Sequence, residues 1–171
     1  MKRKWLLCVF LLCTLPALGA ISQQQSPISQ WNGSASSTCS NTFGSNSSAG
    51  DLFVVWTFWS TGTSSNQLTA SVGDNFGNSF PSAVGPTLQV ASNTYAQIFY
   101  AKKITLGTGH DVLTVSYFLN GVLSNATTSG CVFVEYQGAD TMYPLDSVSA
   151  GYSTGGNPTA RTGQWKRDSM L

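Results

Sequence analysis

Residues 51–60 run DLFVVWTFWS, and seven of the nine from Asp51 to Trp59 are large and apolar. Successive side chains of a strand point to opposite faces. Both alternate faces of this stretch are therefore apolar, as expected of a central strand covered on both sides. A buried helix would fit the length, but the β-branched and aromatic content and the flanking Gly50 and Gly62 favour a strand.

The segments on either side read as further strands and turns. Residues 67–72 alternate apolar and polar and run into Gly73-Asp74-Asn75-Phe76-Gly77-Asn78, the composition of a tight turn, so a hairpin is expected there. Pro81 and Pro86 make any strand in 79–90 an edge strand or an interrupted one. Residues 95–104 (YAQIFYAKKI) and 110–118 (HDVLTVSYF) are both strands by composition, and the Gly107-Thr108-Gly109 turn between them implies that they pair as a hairpin. After Asn120-Gly121 and a polar loop, residues 131–137 (CVFVEYQ) form another strand, and Cys39 to Phe43 supplies at most an edge strand. No segment of ten residues carries a 3.6-residue apolar period. The expected fold is all-β, an antiparallel β-sandwich of immunoglobulin-like or jelly-roll type spanning residues 31–152, after a linker at 21–30 and before an unstructured tail at 153–171.

The N-terminus is a targeting signal by its layout. Lys2, Arg3 and Lys4 precede an apolar run from Trp5 to Leu15, and small residues follow Pro16. That is the pattern of a secretory signal peptide over residues 1–20, and its apolar run is shorter than the roughly 20 residues a membrane-spanning helix needs. Removing it leaves five basic residues against seven acids, a net charge of −2, and two cysteines, Cys39 and Cys131. In an oxidising compartment these two are expected to pair. Only 9% of the whole chain is charged and the net charge is +1, which excludes a basic surface for nucleic acid and excludes disorder driven by charge.

The order AGDLFVVW, SVGDNFGNSF, AQIFYAKKI, HDVLTVSYF and VEYQGAD followed by PLD resembles a secreted bacterial β-sandwich domain, of no assigned function, that recurs in large exported and surface proteins of soil bacteria. The resemblance spans Trp31 to Ala150. Its markers are Gly50-Asp51, the turn at Asp74 to Asn78, Tyr100-Ala101-Lys102, Glu135-Tyr136, Asp140 and Pro144-Leu145-Asp146. Members of that family usually continue into further strands after Pro-Leu-Asp. Here the composition turns basic at Arg161, so a truncated or frame-shifted end is expected.

Candidate chemistry is sparse. His110 is the only histidine, and its neighbour Asp111 falls on the opposite face of a strand, which opposes a His–Asp relay. Glu135 lies within an apolar strand, and pairing with Lys102 or Lys103 on a neighbouring strand is its expected role. Asp74, Asn75 and Asn78 are weak calcium candidates, since Asp, Asn and Gly are also ordinary turn chemistry; no cofactor is expected. Trp31, Trp59 and Tyr95 are the candidate glycan-contacting residues, because aromatic faces stack on apolar sugar faces. One of Trp56 and Trp59, on opposite faces of one strand, must be core. The function expected from sequence is that of a secreted or cell-surface, non-catalytic module with a structural, adhesive or glycan-contacting role. Its partners would be extracellular glycans or other surface proteins. The alternative is a secreted glycoside or ester hydrolase on the same scaffold.

Overall fold

The computed structural model describes residues 20–62, 67–89, 92–106 and 109–145. The expected signal peptide falls outside these residues but for Ala20, and the tail at 153–171 falls outside them entirely. Among the described residues, ten strand segments make two antiparallel sheets packed face to face, an all-β sandwich. The larger sheet joins β1 (Ser22–Gln23) and β2 (Ile28–Asn32), end to end along one edge, to β10 (Thr128–Gln137), then β4 (Leu52–Ser60), β7 (Thr94–Lys102) and β6 (Ser82–Gln89). The smaller sheet is β3 (Thr38–Thr42), β8 (Val112–Leu119) and β5 (Thr69–Asp74), with the short β9 (Val122–Leu123) folded back on β8.

The run at 51–60 becomes β4, the centre of the larger sheet, paired along its whole length with β10 and β7. Its odd-numbered residues Phe53, Val55, Thr57 and Trp59 are wholly buried between the sheets. Phe99 and Phe133 from the flanking strands and Leu113, Val115 and Tyr117 from β8 complete that interior. Trp59 stacks on Tyr95, its neighbour across the β4–β7 ladder, with ring centroids 5.6 Å apart. The Cys39–Cys131 disulfide, with Cα atoms 6.1 Å apart, ties β3 of one sheet to β10 of the other through the core.

Three local expectations are corrected. Residues 95–104 and 110–118 do not form a hairpin: β7 lies in the larger sheet, β8 in the smaller, and their apolar faces meet across the core. Nor does the 73–78 turn close a hairpin, since β5 pairs with β8 and the chain then crosses to β6. Alternation groups the residues of a strand by face; it does not tell a hydrogen-bonded neighbour from a facing one. The 21–30 segment is no free linker, because β1 and much of β2 pair with β10 as a polar edge held by backbone hydrogen bonds. β6 is an edge strand whose register shifts on both sides of Val84, the second shift spanning Gly85-Pro86, and an edge position suits Pro86.

Candidate functional site

Val54, Trp56 and Phe58 of β4 point away from the core, and they are also apolar. Val54 and Phe58 are half-buried and Trp56 is 40% exposed. The ladder registers extend this face across the sheet: Val132, Trp56 and Ile98 are direct neighbours, as are Val134, Val54 and Tyr100. At the edge, Trp31 of β2 lies opposite Gly130 of β10, which lies opposite Phe58.

That glycine builds an aromatic row. A Cβ at Gly130 would stand 2.3 Å from Cε1 of Phe58, so the Phe58 ring occupies the space over β10 that a side chain would fill. Phe58 thereby reaches Trp31, at 5.1 Å between centroids, while touching Trp56 at 5.2 Å on its other side. Both contacts are tilted by about 40°, an arrangement that aromatic pairs favour. Trp31 stays 65% exposed. Gln30 and Asn32, its strand neighbours, point to the opposite face, where the Asn32 amide donates to the Thr38 carbonyl and to Ser129 Oγ.

Of the three aromatics singled out from sequence, only Trp31 faces solvent. Trp59 and Tyr95 are core residues, 0% and 7% exposed, and the Trp59 indole N–H is used by the Leu68 carbonyl at 3.2 Å. The residues that accompany Trp31 are Phe58 and Trp56. Strand parity separates Trp56 from Trp59 but does not say which face is inward, and no local signal marks Gly130 as the gap under Phe58.

A second constellation lies at the end of the sandwich where β4 and β8 begin and β10 ends. Asp51, Asp111 and Glu135 are all buried there, with Asp111 and Glu135 wholly so. Glu135 does not pair with lysine; it points into the core, while Lys102 is exposed and donates to the Met142 carbonyl. Its carboxylate accepts the Ser48 backbone N–H at 3.0 Å and the Gln25 side-chain amide. Asp51 is pushed up to about 6, first by burial, then by the charge of Glu135 and a side-chain hydrogen bond to it. Burial is also the main cause that raises Asp111. Asp51 Oδ2, both Asp111 carboxylate oxygens and Ser47 Oγ are buried without a hydrogen bond of ordinary length.

The turn residues Asp74, Asn75 and Asn78 serve the fold. Asp74 accepts the backbone N–H groups of Phe76 and Asn78, Asn75 accepts that of Val112, and Asn78 accepts that of Thr105. His110 is exposed, with Nδ1 2.8 Å from the Phe43 carbonyl. Among the described residues no three His, Cys, Asp or Glu side chains are arranged to hold a metal ion. No described helix is long and apolar enough to cross a membrane. Compared with family models, curated proteins and solved structures, the chain matches none.

Proposed function

We propose that this chain is a secreted or cell-surface, non-catalytic module that holds glycans against the outer face of its larger sheet. The observation that carries the reading is the Trp31–Phe58–Trp56 row, with two of its rings exposed on a sheet face lined by Val54, Ile98, Val132 and Val134. An apolar ring face desolvates the C–H face of a pyranose. The face carries no acid or base among these residues, which suits neutral sugars better than acidic ones. The disulfide fits an oxidising compartment. A binding role is further supported by the burial of Asp51, Asp111 and Glu135, which keeps those carboxyl groups from a substrate.

The test is a glycan array probed with the full chain and with Trp31→Ala, Trp56→Ala and Ser71→Ala. Binding that is lost in both tryptophan variants and kept in Ser71→Ala is the expected result. Binding indifferent to both tryptophans would sink the proposal. So would an array without any hit combined with a dimer that dissociates in Trp31→Ala, because the face would then be covered by a second copy.

A further inference from the structure

Buried carboxyl groups need neutralisation, and the acid end of the sandwich shows what supplies it. Burying an ionised carboxylate without a partner is costly enough that the group usually takes up a proton instead. The basic side chains among the described residues, Lys102, Lys103 and His110, are exposed; Lys102 donates to the Met142 carbonyl, and His110 Nδ1 lies against the Phe43 carbonyl. The groups that do face the cluster are acids: Glu135 from β10 faces Asp51, and Asp74 from β5 together with Glu135 faces Asp111. Ser47 lies beside Asp111.

The cluster also anchors the start of the described chain. The Gln24 N–H donates to the Glu135 carbonyl at 2.9 Å, and the Gln25 amide donates to the Glu135 carboxylate. Gln24 Nε2 reaches Ser48 Oγ at 3.3 Å, and Gln25 Oε1 accepts the Ser45 N–H at 3.3 Å. With β1 paired to the end of β10, residues 22–25 form a strap across the acid end, and Glu135 is its main point of attachment. Both Glu135 carboxylate oxygens are taken up by N–H donors, and Asp51, which burial raises, is the member of the pair that holds a proton in the mildly acid range.

We propose that the acid end is a proton-operated latch. A proton shared between the Asp51 and Glu135 carboxyl groups holds the 22–25 strap on the sandwich, and its loss as pH rises out of the mildly acid range loosens that strap. The reaction is a simple transfer: the Asp51 carboxylic acid gives its proton to water, and two facing carboxylates remain.

The sign follows from the raised position of Asp51. A carboxyl that titrates at about 6 when folded and 3.8 when unfolded contributes stability that is fully present below about pH 4 and lost by about pH 6. From this group alone the folding equilibrium constant falls on the order of a hundredfold across that window. Asp140, exposed and held low by the N–H groups of Tyr143 and Met142, acts in the opposite sense at lower pH. A comparison with Asp51→Asn therefore isolates the latch.

The experiment is urea unfolding of the full chain from pH 3.5 to 7.5, with hydrogen exchange at the Gln24 amide corrected for the intrinsic rate. Wild type is expected to lose stability between about pH 4 and 6, and its Gln24 amide to exchange faster at pH 7.5 than at pH 5. In Asp51→Asn, which has no proton to lose at this position, the pH effect on Gln24 exchange should be largely absent and the stability loss reduced to the part that the raised Asp111 contributes. Stability that is flat or rises with pH to the same extent in both proteins would overturn the proposal. So would calcium at pH 7.5 restoring what acid restores, since a cation and not a proton would then be the neutralising partner. If Asp51→Asn does not fold, the wild-type stability profile and its Gln24 exchange decide the matter.

Discussion

The two outer faces of this sandwich differ in kind. On the smaller sheet, the side chains turned away from the core include Ser40, Ser71, Thr114 and Ser116, and Ser40 Oγ lies 2.8 Å from Thr114 Oγ1. A shallow hollow of about 430 Å³ there is lined by Ser71, Gly73, Asp74, Asn75 and Thr114 among others. That is the ordinary condition of an antiparallel sheet with one wet side. On the larger sheet the corresponding positions are Val54, Trp56, Phe58, Ile98, Val132 and Val134, joined at the edge by Trp31. Two exposed tryptophans joined through Phe58 on a β-branched floor are unlike an ordinary solvated face, and they are the basis of the proposed interaction surface. The proposed contact role rests on this difference, with the larger sheet as the contact face and the smaller as its support.

The comparison is broken most severely by separating the two sheets. Replacing both Cys39 and Cys131 by alanine removes the link between them and should cost roughly 4 kcal/mol, the scale expected for a loop of about ninety residues. Urea unfolding of the oxidised wild type and the double variant measures it. A loss well under 1 kcal/mol would mean that packing alone holds the faces in place.

Gly130→Ala acts on one face only. Its methyl group meets the Phe58 ring, and overpacking of this kind costs about 1–3 kcal/mol. Displacing that ring should also change the fluorescence of Trp31 and Trp56. A stabilised Gly130→Ala with an unchanged spectrum would show that Phe58 does not rest over the glycine.

Trp31→Ala sharpens the contrast between stability and binding. As a largely exposed residue it should change stability by no more than about 1 kcal/mol, while lowering glycan affinity at least about tenfold, as loss of a central aromatic anchor does. The smallest effect belongs to the other face: Ser71→Ala should stay within about 0.5 kcal/mol and leave binding unchanged. Calorimetry on the two variants checks both statements together.

Much of the fold was legible because β4 announces itself. A run of apolar, β-branched and aromatic residues bounded by glycines has few destinations other than the middle of a sheet, and with the expected signal peptide set aside Cys39 and Cys131 had only each other as partners. Strand pairing was not legible, since β7 and β8 show the same alternation whether they lie side by side or face each other across a core. The polar edge strands β1 and β2 escaped for a different reason. They are held by backbone groups common to every sequence, so their Ser and Gln residues carry no signal. The site was half legible: Trp31 was named, but the choice between Trp56 and Trp59 depends on which face of β4 the smaller sheet covers. Glu135 looked like one half of a cross-strand ion pair because parity placed it in a strand without saying that its face is the inner one.

β4 reads as covered on both sides, and the smaller sheet covers one of them. The account rests on the other side being completed by a bound glycan. The most direct test follows the indole N–H resonances of the full chain by NMR while the strongest binder from the array is added. The Trp31 and Trp56 signals should move with a common affinity, while the Trp59 signal, buried and bonded to Leu68, stays in place. Saturable binding that moves neither Trp31 nor Trp56 would contradict the account.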